Sequence, residues 1–328
     1  MAIVEVTTLR RGHPMNIKQL RYFCRIYELK NMTHAAEALY IAQSALSQQM
    51  QALEKNLGVQ LFLRRAQGVT PTPEAALLYQ HSQTILRQLD ATRSLLGRDS
   101  DEFISGRVSL GMASSTARML ALPLIQEVHR KLPTVVLEIV DVPSADLTKS
   151  VIQGRLDFSL SPDQQATRGI EVRPLLIEEL FLLAHPNTPI HANPVTIEAI
   201  KDLPIILPSQ PNQLRARIDH AFLSARLSYS LLAEASTAAT LIPALEAAMA
   251  ITILPYSAAS SEIDAGKISA YPFATALYRE ISLCWSTYNP PTPAVKRVMQ
   301  TAIEILQTLV ETKTWKHVTI PEGDKELN

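Results

Sequence analysis

Residues 20–65 read LRYFCRIYELKNMTHAAEALYIAQSALSQQMQALEKNLGVQLFLRR. Apolar residues at Ile17, Leu20, Phe23, Cys24 and Tyr27 recur at helical spacing. Thr33 stands before a second, short helix expected over 35–40, and its hydroxyl can cap that helix. Ser44 is expected to do the same for a third helix over 45–57, which Gly58 ends. A helix, a short helix, a tight connection and a longer helix make a helix-turn-helix pattern. Two extended stretches, 59–65 and 69–70, lie on either side of Gly68 and predict a β-hairpin wing.

Outward from this stretch, Thr72-Pro73 reads as an N-cap followed by proline at the first helical position. The helix it opens is expected to reach about Gly97. Its stripe Ala75, Leu78, Ser82, Ile85, Leu89, Thr92, Leu96 alternates steps of three and four, the pattern of a heptad seam. The same stripe also suits a helix packed on its own domain.

From Arg107 the pattern changes. Strands are expected at 107–112, 135–140, 157–160, 181–184, 205–207, 251–254 and 281–285. Helices between them are expected from Ser114 to Val128, from Ser144 to Gly154, near 196–202, near 214–223 and from Thr237 to Met249, with a last amphipathic helix over 293–310. Strands alternating with helices predict a parallel sheet. Residues 313–328 read as a loose polar tail.

The 328 residues exceed one compact core. With 47% hydrophobic and 19% charged residues, the composition is that of a globular protein. No apolar run approaches the ~20 residues that span a bilayer, so no membrane partner is expected. The first residues lack a signal-peptide core, so a cytoplasmic location is expected. Net charge is zero, but residues 1–72 carry nine Lys/Arg against four Asp/Glu, and the remainder twenty-two against twenty-seven. A basic end on an acidic body suits a polyanion partner. Cys24 and Cys284 fit no ligand spacing and read as buried thiols. G-x-S-x-G, G-x-G-x-x-G, P-loop and H-E-x-x-H motifs are all missing, so no enzyme, cofactor or metal is expected.

The residues Leu20/Phe23, Thr33/Ala35/Ala36/Leu39, then Gln43, Ala45, Leu46, Ser47, Gln49, Met50, Leu53, Glu54, Leu57, Gly58, Leu61, Phe62 and Arg64 resemble the DNA-binding pattern of LysR-type transcriptional regulators. Gly154-Arg155-Leu156-Asp157 resembles the G-x-L-D that closes the family's first βαβ unit. Residues 68–72, 84–88 and 123–126 look most like the nitrogen-assimilation-control subgroup. Three departures stand out. The family begins near Met15, so residues 1–14 are an extension or Met15 is the start. Ala75 takes a place the linker usually gives to glycine. Residues 248–255 read AMAITILP where the family has a glycine-rich run.

The resemblance implies an α/β protein with an N-terminal all-α winged helix-turn-helix over 15–72 and a dimerisation helix over 73–98. A regulatory domain follows over 107–312, built of two Rossmann-like halves resembling type 2 periplasmic-binding proteins. Half I would comprise 107–177 and 287–312, and half II 178–286, with crossings near 177–179 and 286–291. It implies a dimer or tetramer acting on a partly palindromic promoter, with RNA polymerase as a further partner. A solute-binding protein with no DNA role is the alternative.

In such a domain the N-terminal part of the recognition helix faces the bases. That gives Gln43, Ser44, Ser47, Gln48 and Gln51 as readers, with A·T-leaning preference because glutamine both donates and accepts toward adenine. Ala45, Leu46, Met50 and Leu53 are expected in the core. Thr33, Arg64, Arg65 and Thr70 are placed for phosphates. Ser114, Ser115, Thr116, Ser144, Ser209 and Thr252 are the candidates to line an effector cleft. They would hold a small anion with hydroxyls and helix N–H groups, or serve only as N-caps. Control by protein abundance, with no effector, is the other expectation.

Overall fold

The computed structural model describes residues 15–65, 68–96, 104–141 and 144–321. The chain forms two compact units, 1–93 and 94–328. The expected extension 1–14, Gly97 and the last residues 322–328 lie outside the described residues.

In the first unit, helix α1 (Ile17–Leu29) opens on a capping box between Asn16 and Gln19. It buries Leu20, Phe23 and Ile26. Helix α2 (Met32–Ala38) is capped by Asn31, whose side chain accepts from the N–H groups of Thr33 and His34. Thr33 therefore lies in the first turn and is not the cap, and the helix stops two residues short of the expected Tyr40. Helix α3 (Gln43–Leu57) begins after Ala42 with no side-chain cap. Ser44 is already helical, which corrects its expected capping role. Gly58 ends α3 in the left-handed region, as its type favours.

Strands β1 (Phe62–Arg65) and β2 (Gly68–Pro71) pair antiparallel as the wing. Gly68 has φ +140°, and a Cβ there would lie 2.5 Å from the Lys30 carbonyl oxygen. That same carbonyl accepts from Val69 N at 2.9 Å, so the wing docks closely on the end of α1. Thr72 caps helix α4 (Pro73–Leu96) through its Oγ1, which accepts from Ala75 N. The early part of the α4 stripe packs within the unit: Ala75 and Ser82 are buried, and Leu78, Tyr79 and Leu86 lie against its core. Tyr79 stacks on Tyr27 at 4.1 Å between centroids, and Arg21 pairs with Asp90 at 2.8 Å. Ile85 and Leu89 remain half-buried, and Thr92 is exposed. The stripe is thus divided between packing on its own unit and a face left for other contacts.

The second unit opens with β3 (Gly106–Met112), α5 (Ser114–Lys131), β4 (Val135–Asp141), α6 (Ser144–Ile152) and β5 (Phe158–Pro162). The long strand β6 (Ile170–Ala184) leads to α7 (Ile197–Ile200), β7 (Pro204–Leu207), α8 (Gln213–Ser224), β8 (Ser230–Glu234), α9 (Ala238–Glu246) and β9 (Thr252–Pro255). A 3₁₀ turn at Tyr256–Ala259, α10 (Ser260–Asp264), the long strand β10 (Ser269–Ser286), α11 (Pro293–Glu311) and β11 (Val318–Thr319) complete it.

Two large cores, with a smaller cluster of Leu147, Val151, Leu156, Ile170 and Cys284 beside them, fill this unit. One gathers β3, β5, α5 and α11 around Leu110, Leu120, Phe158 and Val298. The other gathers β7, α8, α9 and β9 around Ile206, Ile218, Leu245 and Ile253. Strands β6 and β10 run through both halves and pair with each other antiparallel. The expected parallel sheet is therefore corrected to a mixed one, in the order β11-β6-β10-β5-β3-β4 with β9 also on β6. Among the described strand pairs, β3–β4, β3–β5 and the separate pair β7–β8 are parallel, as are the isolated bridges Val195–Phe273 and Ile205–Ile251. A chain that leaves one half on a single strand and returns beside it must reverse direction.

The return crossing also moves. Leu277 pairs with Leu180 and Glu280 with Ile177, while Ile281 and Leu283 sit in the first half's core. The crossing therefore falls within β10 near residues 277–281, not at 286–291. The expected loose tail is overturned for its described part. Trp315 is 1% exposed, and β11 adds to the edge of β6. An indole can bury itself wherever its N–H finds an acceptor, and Trp315 finds one in Glu178.

Candidate nucleic-acid interface and candidate effector cleft

Along α3, Leu46, Met50 and Leu53 recur at steps of four and three and are buried. The opposite face leaves Ser44, Gln48 and Gln51 exposed, and Gln43 is exposed as the first residue of the helix. Ala45 is exposed with them, which corrects its expected place in the core: it neighbours Leu46 in sequence but lies about 100° away around the helix. Ser47 is half-buried, and its Oγ accepts from Arg64 Nη2 at 2.9 Å. The wing is held to α3 a second time by Glu54, whose Oε1 accepts from the N–H groups of Leu61 and Phe62 at 2.7 and 3.2 Å. Thr33 is exposed at the start of α2, and Arg64, Arg65 and Thr70 are exposed on the wing. The fold joins Ser47 directly to Arg64. The other candidates share an exposed, polar unit surface without direct bonds among them.

In the second unit, a narrow cleft of about 60 Å³ opens between the two halves. Ser114 and Ser115, Ser144, Asn212 and Arg279 line it, with Leu241 and Leu254 on its apolar wall. It adjoins a wider space of about 580 Å³ bordered by Thr148, Gln164 and Gln213, and the two share Ser144, Pro162 and Asn212. Three of the six expected hydroxyls therefore converge. Helix α5 begins after Ala113 with no side-chain cap, so the serines there serve other partners. Ser114 Oγ donates to Asp141 at 2.8 Å, and Ser115 Oγ accepts from Arg279 at 2.8 Å. Ser144 Oγ accepts from Asn212 across the cleft at 3.2 Å, and Arg217 reaches Asp163 across it at 2.8 Å.

The remaining three candidates do not line this cleft. Thr116 is fully buried, and its hydroxyl has no partner among the described residues. Ser209 is half-buried beside the lining residue Pro208. Thr252 is fully buried and donates to the Ile206 carbonyl at 2.6 Å, tying β9 to β7.

Arg279 and Glu178 went unnoticed in the sequence. They face each other on β10 and β6, and both are almost fully buried. A signal existed, because each interrupts an apolar run, LLIEELFLLA and ALYREISLCW. A charge amid such a run must find a partner when the strand is buried.

The thiols are inert in this frame. Burial, with Glu28 nearby, pushes Cys24 up to about 12, and burial does the same to Cys284. Among the described residues no acidic, histidine or cysteine cluster could hold a metal, and no helix is long and apolar enough to cross a membrane.

A winged helix-turn-helix joined to a two-half α/β sensing fold defines a one-component transcriptional regulator. The family described as "Bacterial regulatory helix-turn-helix protein, lysR family" matches residues 17–76, and "LysR substrate binding domain" matches 102–307. The chain belongs to the LysR family, whose members are sequence-specific DNA-binding regulators of transcription. It is 34% identical over 291 residues to the nitrogen assimilation regulatory protein nac of Klebsiella aerogenes, covering 87% of this chain and 94% of that one. It is 32% identical over 311 residues to nac of Escherichia coli K12, covering 93% and 100%.

A full-length OxyR variant from Pseudomonas aeruginosa shares the fold at a TM-score of 0.64 and 22% identity, over 90% of this chain and 95% of that one. Full-length CbnR in complex with its target DNA does so at 0.64 and 19%, over 90% and 99%. These comparisons give no support to a solute-binding protein without a DNA role.

Proposed function

We propose that this regulator reads a partly palindromic promoter site through α3 and answers to a small anionic effector held by Ser114, Ser115 and Ser144. The observation that carries the DNA half is the exposed face Ser44, Gln48 and Gln51 with Gln43 at the helix start, backed by a buried apolar face and braced by Arg64 on Ser47. Glutamine carboxamides match the paired donor and acceptor of adenine in the major groove. Thr33, Arg65 and Thr70 hold phosphates and set the register.

The regulator works as a homodimer or homotetramer, because a two-fold assembly matches a palindrome. Leu122, Ile125 and Val136 on one half, and Leu223, Leu231 and Leu232 on the other, are exposed apolar residues that suit contacts with a second copy. The relatives at 34% and 32% identity favour a place near the nitrogen-assimilation regulators. It acts in the cytoplasm at promoters, where RNA polymerase is the further partner.

A gel-shift of the full chain against genomic fragments tests this, followed by footprinting of the strongest. A protected, imperfect palindrome retained against excess random DNA is the expected result. Equal affinity for all fragments would remove sequence reading by α3.

A further inference from the structure

We propose that Arg279 is the anion-reading residue of the cleft, poised by Glu178 and coupled through it to Trp315 in the C-terminal segment. This rests on the reading that a small anion occupies the cleft. Among the described residues lining that space, Arg279 alone is charged, and it is 4% exposed. Burying a guanidinium is costly unless it is paired. Its partner is Glu178, 1% exposed, which accepts from Nε at 2.7 Å and also from Nη2. Nη2 donates as well to Ser115 Oγ at 2.8 Å. Nη1 makes no hydrogen bond to any described residue.

The guanidinium therefore has donor capacity left, and it already touches a serine of the cleft. An oxyanion beside Ser115 would take a charge-assisted bond from Arg279 and compete with Glu178 for it. Glu178 can tolerate this exchange. Its Oε1 accepts from Ser257 Oγ at 2.6 Å and from Trp315 Nε1 at 2.8 Å, so the carboxylate keeps two donors if the arginine turns toward a ligand.

The second link is Trp315 itself. It packs in the core of the half that carries α11, whereas the next two residues bind the other half. Lys316 Nζ lies 2.8 Å from Asp264, and the His317 ring packs on Phe181 and Tyr256 at 4.6 and 4.9 Å. A shift at Glu178 is thus felt by a segment fastened to both halves, and an anion would bias their arrangement through it.

The test uses the full-length chain with Trp285→Phe, which leaves Trp315 as its sole tryptophan. Sulfate, phosphate and acetate are titrated at low millimolar concentration, with sodium chloride at matched ionic strength as the control. At least one should shift Trp315 emission saturably and raise the melting temperature. Arg279→Gln combined with Glu178→Gln removes both charges together, so no charge is left buried alone. In that background the apparent affinity should fall at least ten-fold.

Undiminished affinity in the double variant would overturn Arg279 as the receptor. Saturable stabilisation with no change in Trp315 emission would overturn the coupling and leave the anion cleft standing. If no oxyanion alters either signal, the anion reading itself fails, and the inference with it.

Discussion

Arg64 Nη2 lies 2.9 Å from Ser47 Oγ, joining the wing to α3 across seventeen residues of sequence. The serine oxygen accepts in this bond, so its own hydrogen stays available to donate outward. An arginine that would otherwise swing free is held beside α3, which orders both side chains before DNA arrives.

Gln48 sits on the exposed face of α3, one residue from Ser47. Gln48→Ala should cost about 1–3 kcal/mol at the cognate site and little on random DNA. Fluorescence anisotropy with both duplexes measures this. Equal losses on the two would remove Gln48 from the readers.

Arg64 and Arg65 are both exposed at the end of β1, but only Arg64 is bonded to α3. Arg65→Ala should weaken binding to every sequence and flatten the salt dependence by about one unit of slope. Arg64→Ala should flatten the slope similarly and also narrow the gap between cognate and random DNA, because Ser47 loses its brace. Affinities from 50 to 200 mM salt decide the matter. An unchanged slope in both variants would place neither arginine on a phosphate.

Leu89 remains half-buried on α4, beyond the turns that pack on Tyr27 and the first unit's core. A charge there would be unpaired in any apolar seam between two copies. Leu89→Asp should yield monomers or insoluble protein and weaken palindrome binding. Light scattering from a soluble variant that is still dimeric would refute an α4 seam.

Trp315 should contribute strongly to stability, in contrast to a loose tail. Trp315→Ala opens a cavity and takes one donor from Glu178, which together should cost roughly 3–5 kcal/mol. Urea unfolding of the full chain reads this as a lower midpoint. A midpoint equal to that of the parent protein would mean the segment is not packed in solution.

Both thiols are held near 12 by burial, above the ordinary ~8.5 of a free cysteine. At pH 8 only roughly one part in ten thousand would be thiolate, the reactive form. Iodoacetamide should therefore leave Cys24 and Cys284 unlabelled in the native protein and label both in denaturant. Fast native labelling at pH 8, seen by mass spectrometry, would contradict their burial. Nothing in these two sites suits a reactive thiol.

Sequence alone determined the elements whose signals are local. The steps of four and three among Leu46, Met50 and Leu53, the ending at Gly58 and the Thr72-Pro73 cap each act within a few residues, so a helix-turn-helix and its following helix are legible without coordinates. Local patterns also marked Ser114, Ser115 and Ser144 as openers of helices beside one cleft. They misplaced Ala45 by one position around a helix, and they put the caps of α2 and α3 two residues late, at Thr33 and Ser44 instead of Asn31 and Ala42.

Tertiary structure alone decided the rest. Glu178 meets Arg279 at a separation of 101 residues and Trp315 at 137, and Thr252 turns to a carbonyl 46 residues away. Such contacts leave no periodic trace, because they depend on which strands become neighbours. Two long strands shared by both halves made those neighbours, and so made a buried charge, a packed tail and a cleft out of segments that look ordinary one at a time.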